Sequence, residues 1–205
     1  MREAVIAAAG MCLFALFAQR SLPLFGVSLA GLLLVAALII RSVGRETSLL
    51  AVFGWGPFSR KVGLATAVGC ILGLLLGLSY RGAYDLSLIP GPLALFVVSA
   101  ALIGATEELV FRGYIQGRIT GSGFWLAPVF AALSHTAYKS ALFVFPPAGV
   151  EIDLPLLASL TFVAGFALAL LRQLSGSVLP AVAAHVLFDV LAYGDRLEAP
   201  WWVWR

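Results

Sequence analysis

Apolar stretches of bilayer length follow one another along nearly the whole chain, and that succession constrains the fold more than any other feature. Seven qualify or nearly do: residues 4–18, 22–40, 62–80, 92–117, 124–145, 154–171 and 177–193. A helix crossing the hydrocarbon core needs about 20 mostly apolar residues. The expected fold is therefore all-α, a polytopic transmembrane helical bundle of about seven helices in one membrane-embedded domain spanning residues 1–205. Composition agrees, with 61% hydrophobic and 11% charged residues, where a soluble domain carries about 25% charged.

The opening "MREAVIAAAGMCLFALFAQ" sets one Arg beside one Glu, and a second apolar run follows at once. It reads as a retained first helix rather than a cleaved signal peptide, and is expected to form a hairpin with the second around "QRSLP". The loop 41–61 sets Arg41, Arg45, Arg60 and Lys61 against Glu46, and holds Trp55 and Phe58, which suit the lipid interface. Positive-inside bias places that loop in the cytoplasm. Alternation then puts the N-terminus and the turns near Arg118 and Arg172 inside. The acidic "PPAGVEIDLP" and the tail "GDRLEAPWWVWR" fall outside, with the tail's tryptophans at the interface. A scattered net charge of +3 without a basic run excludes nucleic acid as an expected partner. Cys12 and Cys70 lie in apolar runs, without paired or metal-type spacing, and read as packing residues. Gly69, Gly73 and Gly77 recur every four residues, which lets two helices approach closely in lipid.

Charge is not spread evenly over these spans. Glu107, Glu108 and Arg112 fall on the fourth, His135 and Lys139 on the fifth, and His185 and Asp189 on the seventh; the other four carry no charged residue or histidine. An ionisable group at the bilayer centre costs about 2.5–3.5 kcal/mol on insertion scales. Such concentration implies that three helices surround a polar, water-accessible cavity. Glu108 and Arg112 stand one helical turn apart and can pair, as a structural ion pair that shapes the site. Glu107 points about 100° away, toward the cavity on the stripe of Phe111, with no structural partner in view. His185 and Asp189, also one turn apart, face one point, either as reactive groups or as a helix-stabilising hydrogen bond. His135 follows Ala127, Ala131 and Ala132, which leave room beside it. Lys139 is expected to snorkel to the outer surface, and Tyr114 and Arg118 to mark the cytoplasmic boundary.

A carboxylate and an imidazole sharing one water form a general-base pair. A second histidine with an acid or amide one turn on can steady an oxyanion. Alternatively, Glu107, His135, His185 and Asp189 can hold Zn2+, which lowers the pKa of bound water. Both schemes lead to hydrolysis of a peptide or similar carbonyl. Other hydrolase signatures are missing: there is no H-E-x-x-H helix and no G-x-S-x-G serine accompanying a histidine. Asp85 and Asp195 fall at outer ends, unsuited to an aspartyl dyad within the membrane.

Three of these groupings carry a family resemblance. "EELVFR" (Glu107, Glu108, Arg112) resembles the E-E-x-x-x-R motif of the CPBP family, the Abi-like CAAX-processing and bacteriocin-processing intramembrane endopeptidases. "APVFAALSH", ending at His135, resembles the family's F-x-x-x-H motif. "LPAVAAHVLFD", with His185 and Asp189, resembles H-x-x-x-N/D. Order and spacing fit over about residues 90–193. The resemblance implies an α-helical bundle of eight helices or fewer, with a protease-type site open toward lipid or cytoplasm. Carried over by position, Glu107 and His135 activate the water, His185 and Asp189 stabilise the oxyanion, and Glu108 and Arg112 shape the site.

The chain departs from the family pattern in places. Ala131 stands where the motif has phenylalanine, with Phe130 one place early, which bears on substrate fit more than on chemistry. Asp189 replaces the amide, and an ionised Asp189 would repel an oxyanion, so the role requires it protonated or metal-bound. An amino-terminal helix of eukaryotic prenyl-protein proteases is expected to be missing. The resemblance also covers prokaryotic relatives without any prenylated substrate, which are common in the family, so CAAX cleavage as such is not the expected activity. The expected setting is a prokaryotic plasma membrane, and the expected partners are the lipid bilayer and a membrane-associated peptide or protein substrate. Two rivals remain at this level: a non-catalytic immunity or regulatory protein with the same fold, and a proton-coupled carrier. The carrier is weakened by the lack of an inverted repeat.

Overall fold

The computed structural model describes residues 1–21, 35, 37, 41, 49–55, 58–146 and 151–196. The expected second span, residues 22–40, lies outside the described residues save for isolated positions, as do Arg45 and Glu46 of the basic loop and the tail's tryptophans. All regular structure among the described residues is helical. The α-helices are α1 (Arg2–Ser21), a short α2 (Leu49–Phe53), α3 (Arg60–Ala83), α4 (Phe96–Glu108), α5 (Leu126–Phe143), α6 (Leu154–Ser175) and α7 (Leu179–Tyr193). The π-helical stretch Leu109–Ile115 continues α4 directly, and a single 3-10 turn follows at Thr120–Ser122. Among the described residues, α3 and α6 are long and apolar enough to cross a membrane, at 24 and 22 residues, or about 36 and 33 Å at the helical rise.

Local chemistry sets several of these boundaries. Ser59 accepts the Val62 N–H at 3.2 Å and caps α3. Asp153 does the same for α6, taking the Leu156 N–H at 2.9 Å, with Pro155 in the first turn where its missing donor is harmless. Gly176 ends α6 in the left-handed region at φ +76°, its N–H donating to the Arg172 carbonyl at 3.0 Å.

The glycine stripe of α3 packs on α7, as its spacing predicts. Gly69 and Gly73 sit against the carbonyl oxygens of Pro180 and Ala184, and Gly77 against the Leu191 side chain. A methyl group at either of the first two would collide with backbone that cannot rotate aside. On its other faces α3 exposes Leu64, Val68, Ile71 and Leu75, and α6 exposes Leu156, Leu160 and Val163. Apolar side chains turned outward with small residues turned inward are what a lipid solvent favours. Ala4, Met11 and Ala15 of α1 join Val110, Phe111, Ile115, Ile119, Ala127 and Tyr138 in the largest apolar cluster.

Polar contacts gather the helix ends. Arg118 pairs with Glu3 at 3.1 Å, so α1 begins beside the turn that follows the π-helical stretch, and the Arg118 guanidinium lies over the Tyr114 ring. Arg172 donates to the Val52 carbonyl at 2.8 Å and Val178 N–H to that of Phe53 at 3.0 Å, docking α2 on the α6–α7 turn. Beyond the other end of α3, Arg81 pairs with Asp195 at 2.7 Å.

Two expectations need correction. The stretch 92–117 is not one α-helix, since α4 begins at Phe96 and its continuation is π-helical. An almost wholly apolar run carries no periodicity by which such a change of winding could be read. Arg172 lies within α6 rather than in a turn, and is buried at 4% exposure because α2 covers it.

Candidate active site

The last turn of α4 delivers Glu107 and Glu108, the π-helical stretch delivers Arg112, α5 delivers His135 and Lys139, and α7 delivers His185 and Asp189. The structure brings all seven together. Glu107, Glu108 and Arg112 are each 1% exposed or less, and His135 and Asp189 are also buried. π-helical turns inside α-helices are rare and are frequently found at functional sites.

Arg112 is the hub on one side. Its Nη1 donates to Glu108 Oε1 at 2.9 Å and lies 3.1 Å from His135 Nδ1, while Nη2 donates to the Gly165 carbonyl at 3.0 Å. The expected Glu108–Arg112 pair is therefore present, through a single Nη1–Oε1 contact. Glu108 Oε1 also receives His185 Nδ1 at 2.7 Å. An ionised carboxylate only accepts, so the His185 proton sits on Nδ1. Its Nε2 then stands just beyond hydrogen-bond reach of two acids, 3.9 Å from Glu107 Oε2 and 3.8 Å from Asp189 Oδ2.

Glu107 stands at the centre. Its Oε2 meets His135 Nε2 at 3.2 Å, and its Oε1 receives Lys139 Nζ at 2.7 Å. Two readings are corrected here. Lys139 does not snorkel outward: it is only 8% exposed and turned inward onto the buried Glu107 carboxylate, whose charge it compensates. Accordingly Glu107 does have a structural partner. The signal for this was in the sequence, since Lys139 follows His135 by four residues and shares its helix face.

Two glycines missed in the sequence make the closeness possible. Gly104, one turn before Glu108, faces Asp189 Oδ2 and lies within reach of His185, so that a Cβ there would meet both side chains. A Cβ at Gly165 would lie 2.7 Å from Arg112 Nη2. Their spacing follows no stripe, so no motif flagged them. Gln116 was missed as well; it is fully buried and ties the π-helical stretch to α6 through the Ala169 carbonyl at 2.8 Å. The Phe111 ring packs at a 42° tilt against that of His135, with ring centres 4.7 Å apart, on the stripe it shares with Glu107. Ala131, at the motif's phenylalanine position, is fully buried, and Phe130 packs at the margin of the largest apolar cluster.

For a metal ion, Glu107, His135, His185 and Asp189 would have to converge as ligands. Among the described residues no three His, Cys, Asp or Glu side chains are so gathered, and the Lys139 ammonium already occupies Glu107 Oε1. The donor set does not fit the ion in this arrangement. Chemically, the site offers a carboxylate between two imidazoles, an ammonium on its far oxygen, and a second acid beside His185.

Comparison with known proteins adds one finding. A family model described as type II CAAX prenyl endopeptidase, Rce1-like, matches residues 89–191, just over half of the 205-residue chain. That range holds every residue of the site. No curated protein and no solved structure matches the chain.

Proposed function

Because the chain belongs to the family of type II CAAX prenyl endopeptidases, Rce1-like, a family of membrane-integral peptidases, we propose that it is an intramembrane endopeptidase cleaving a membrane-associated peptide or protein. The proposed setting is a multi-pass bundle in a prokaryotic plasma membrane. The observation that carries the reading is Glu107 Oε2, 3.2 Å from one imidazole nitrogen and 3.9 Å from another, inside an apolar bundle.

In this mechanism Glu107 removes a proton from water, and the resulting hydroxide adds to the scissile carbonyl carbon. His135, held through Nδ1 by Arg112, aligns the carboxylate and water through Nε2–H. The developing oxyanion is met from α7. Three carboxyls (Glu107, Glu108, Asp189) face two fixed cations (Arg112, Lys139), so one further proton on His185 or Asp189 brings the cluster to neutrality. Placed on Asp189, that proton gives the oxyanion a donor and removes the objection that an ionised Asp189 would repel it. Collapse of the tetrahedral intermediate breaks the C–N bond, and the proton held on Glu107 passes to the leaving amine. Glu108 and Arg112 keep His135 and His185 in place.

The test is cleavage of membrane-peptide libraries by detergent-purified protein, with Glu107→Gln and His135→Ala alongside. Loss of product in both variants is expected, and undiminished product in both would sink the assignment. One observation favours a second reading, an immunity or regulatory protein without catalysis: the Glu107–Lys139 ion pair gives the carboxylate a purely structural use. On that reading a Glu107→Gln strain matches wild type in any phenotype that deletion reveals.

A further inference from the structure

Helix α5 grips a single carboxylate with two side chains. His135 and Lys139, one turn apart, reach the two oxygens of Glu107 separately: Nε2 stands 3.2 Å from Oε2, and Nζ donates to Oε1 at 2.7 Å. Neither grip is adventitious surface pairing, since the carboxylate is 1% exposed and the lysine 8%. The ammonium also lies 5.8 Å from the centre of the Tyr138 ring, whose face favours a cation. Arg112, the other fixed cation of the site, spends its fork on Glu108, His135 and the Gly165 carbonyl. Glu107 therefore takes its compensating charge from Lys139.

A buried carboxylate can rotate about its last bond and exchange its two oxygens unless each is held differently. Here they are, an ammonium on one side and an imidazole on the other. The oxygen turned toward His185 is Oε2, 3.9 Å from its Nε2. The geometry points to Lys139 as a positioning residue that holds Glu107 ionised and turns Oε2, rather than Oε1, toward the reacting water. Lys139 lies outside the three motif groupings, and the inference rests on the peptidase reading above.

Two measurements test it, one of which does not depend on activity. Thermal melting of wild type, Lys139→Met, Glu107→Gln and the double variant forms a cycle. Methionine keeps the stem and removes the charge, so Lys139→Met in wild type leaves a buried carboxylate uncompensated. The expected loss is on the order of 10 °C, and the loss should shrink to a few degrees when Glu107 is already Gln. Additive shifts would overturn the ion pair and the inference with it.

The second measurement is steady-state cleavage by Lys139→Met and Lys139→Arg. A misaligned reactive group costs about 100-fold in rate, so Lys139→Met should lose about that much in kcat with KM within a factor of about 3. Lys139→Arg, which restores a cation, should recover part of the loss. Wild-type kcat in Lys139→Met, or a loss confined to KM, would overturn the positioning role. If wild type cleaves nothing while the melting cycle shows coupling, the peptidase reading fails and the assignment of Lys139 to Glu107 stands. The two failures are thus told apart.

Discussion

Arg112 Nη1 stands 3.1 Å from His135 Nδ1, and a guanidinium has no lone pair to offer, so that ring nitrogen is the acceptor. The neutral ring then carries its proton on Nε2, aimed at Glu107 Oε2. His135 thus acts as a donor to the carboxylate, and the proton-accepting capacity of the pair rests on Glu107.

Arg112 should accordingly matter twice. Arg112→Met leaves Glu108 buried without its counter-charge, and a loss of about 3–5 kcal/mol in stability is expected. Arg112→Lys keeps a charge but cannot reach Glu108, His135 and the Gly165 carbonyl at once. It should melt closer to wild type while losing most cleavage. Melting curves and a cleavage assay on the same preparations separate the two effects.

His185 uses its two nitrogens for different tasks, and substitution can divide them. Asparagine places its amide nitrogen near the Nδ1 position and can still donate to Glu108 Oε1. His185→Asn should therefore retain most of the melting temperature and lose cleavage by about 100-fold or more. His185→Ala should lose both. Equal melting losses in the two variants would show that the Glu108 contact contributes nothing.

Gly73 and Gly104 are both close-approach positions, but a methyl group meets different things at each. At Gly73 it strikes the Ala184 carbonyl oxygen, which belongs to a helix backbone. At Gly104 it meets the mobile end of Asp189 and the edge of His185. Gly73→Ala should lower stability by about 1–3 kcal/mol, the range seen on overpacking, despite alanine's better helix propensity. Gly104→Ala should cost less stability and more activity, since the side chains it pushes aside are those of the site.

Asp195 gives a pH dependence. Its hydrogen bond from Arg81 holds the carboxyl below the usual aspartate range, against the opposing effect of burial. A folded-state value below the unfolded one stabilises the fold above the unfolded value, about 3.9, and the effect is lost as pH falls through the folded value. Asp195→Asn should therefore melt below wild type at pH 7, and the difference should close as pH drops under about 4. A gap that persists undiminished at pH 2.5 would mean that charge is not its origin.

Much of the molecule was legible from the chain alone, because in lipid the rules are few. Apolar runs gave the helices that the structure describes, the run 22–40 lying outside the described residues, and the stripe of Gly69, Gly73 and Gly77 announced the contact with α7 before any partner was known. The confinement of Glu107, Glu108, Arg112, His135, His185 and Asp189 to three spans announced their meeting, because an ionisable group in hydrocarbon must find polar company. What the tertiary structure alone decided is how that company is apportioned. Lys139 could have reached an interface or a buried acid, and only the packing of α5 against the π-helical stretch that continues α4 brought the acid within reach. Gly104 and Gly165 carry no pattern along the chain; their need for smallness arises from Asp189 and Arg112 approaching from other helices. The proton on His135 Nε2 follows likewise from a contact between helices, that of Arg112 with Nδ1, which one-dimensional spacing does not encode.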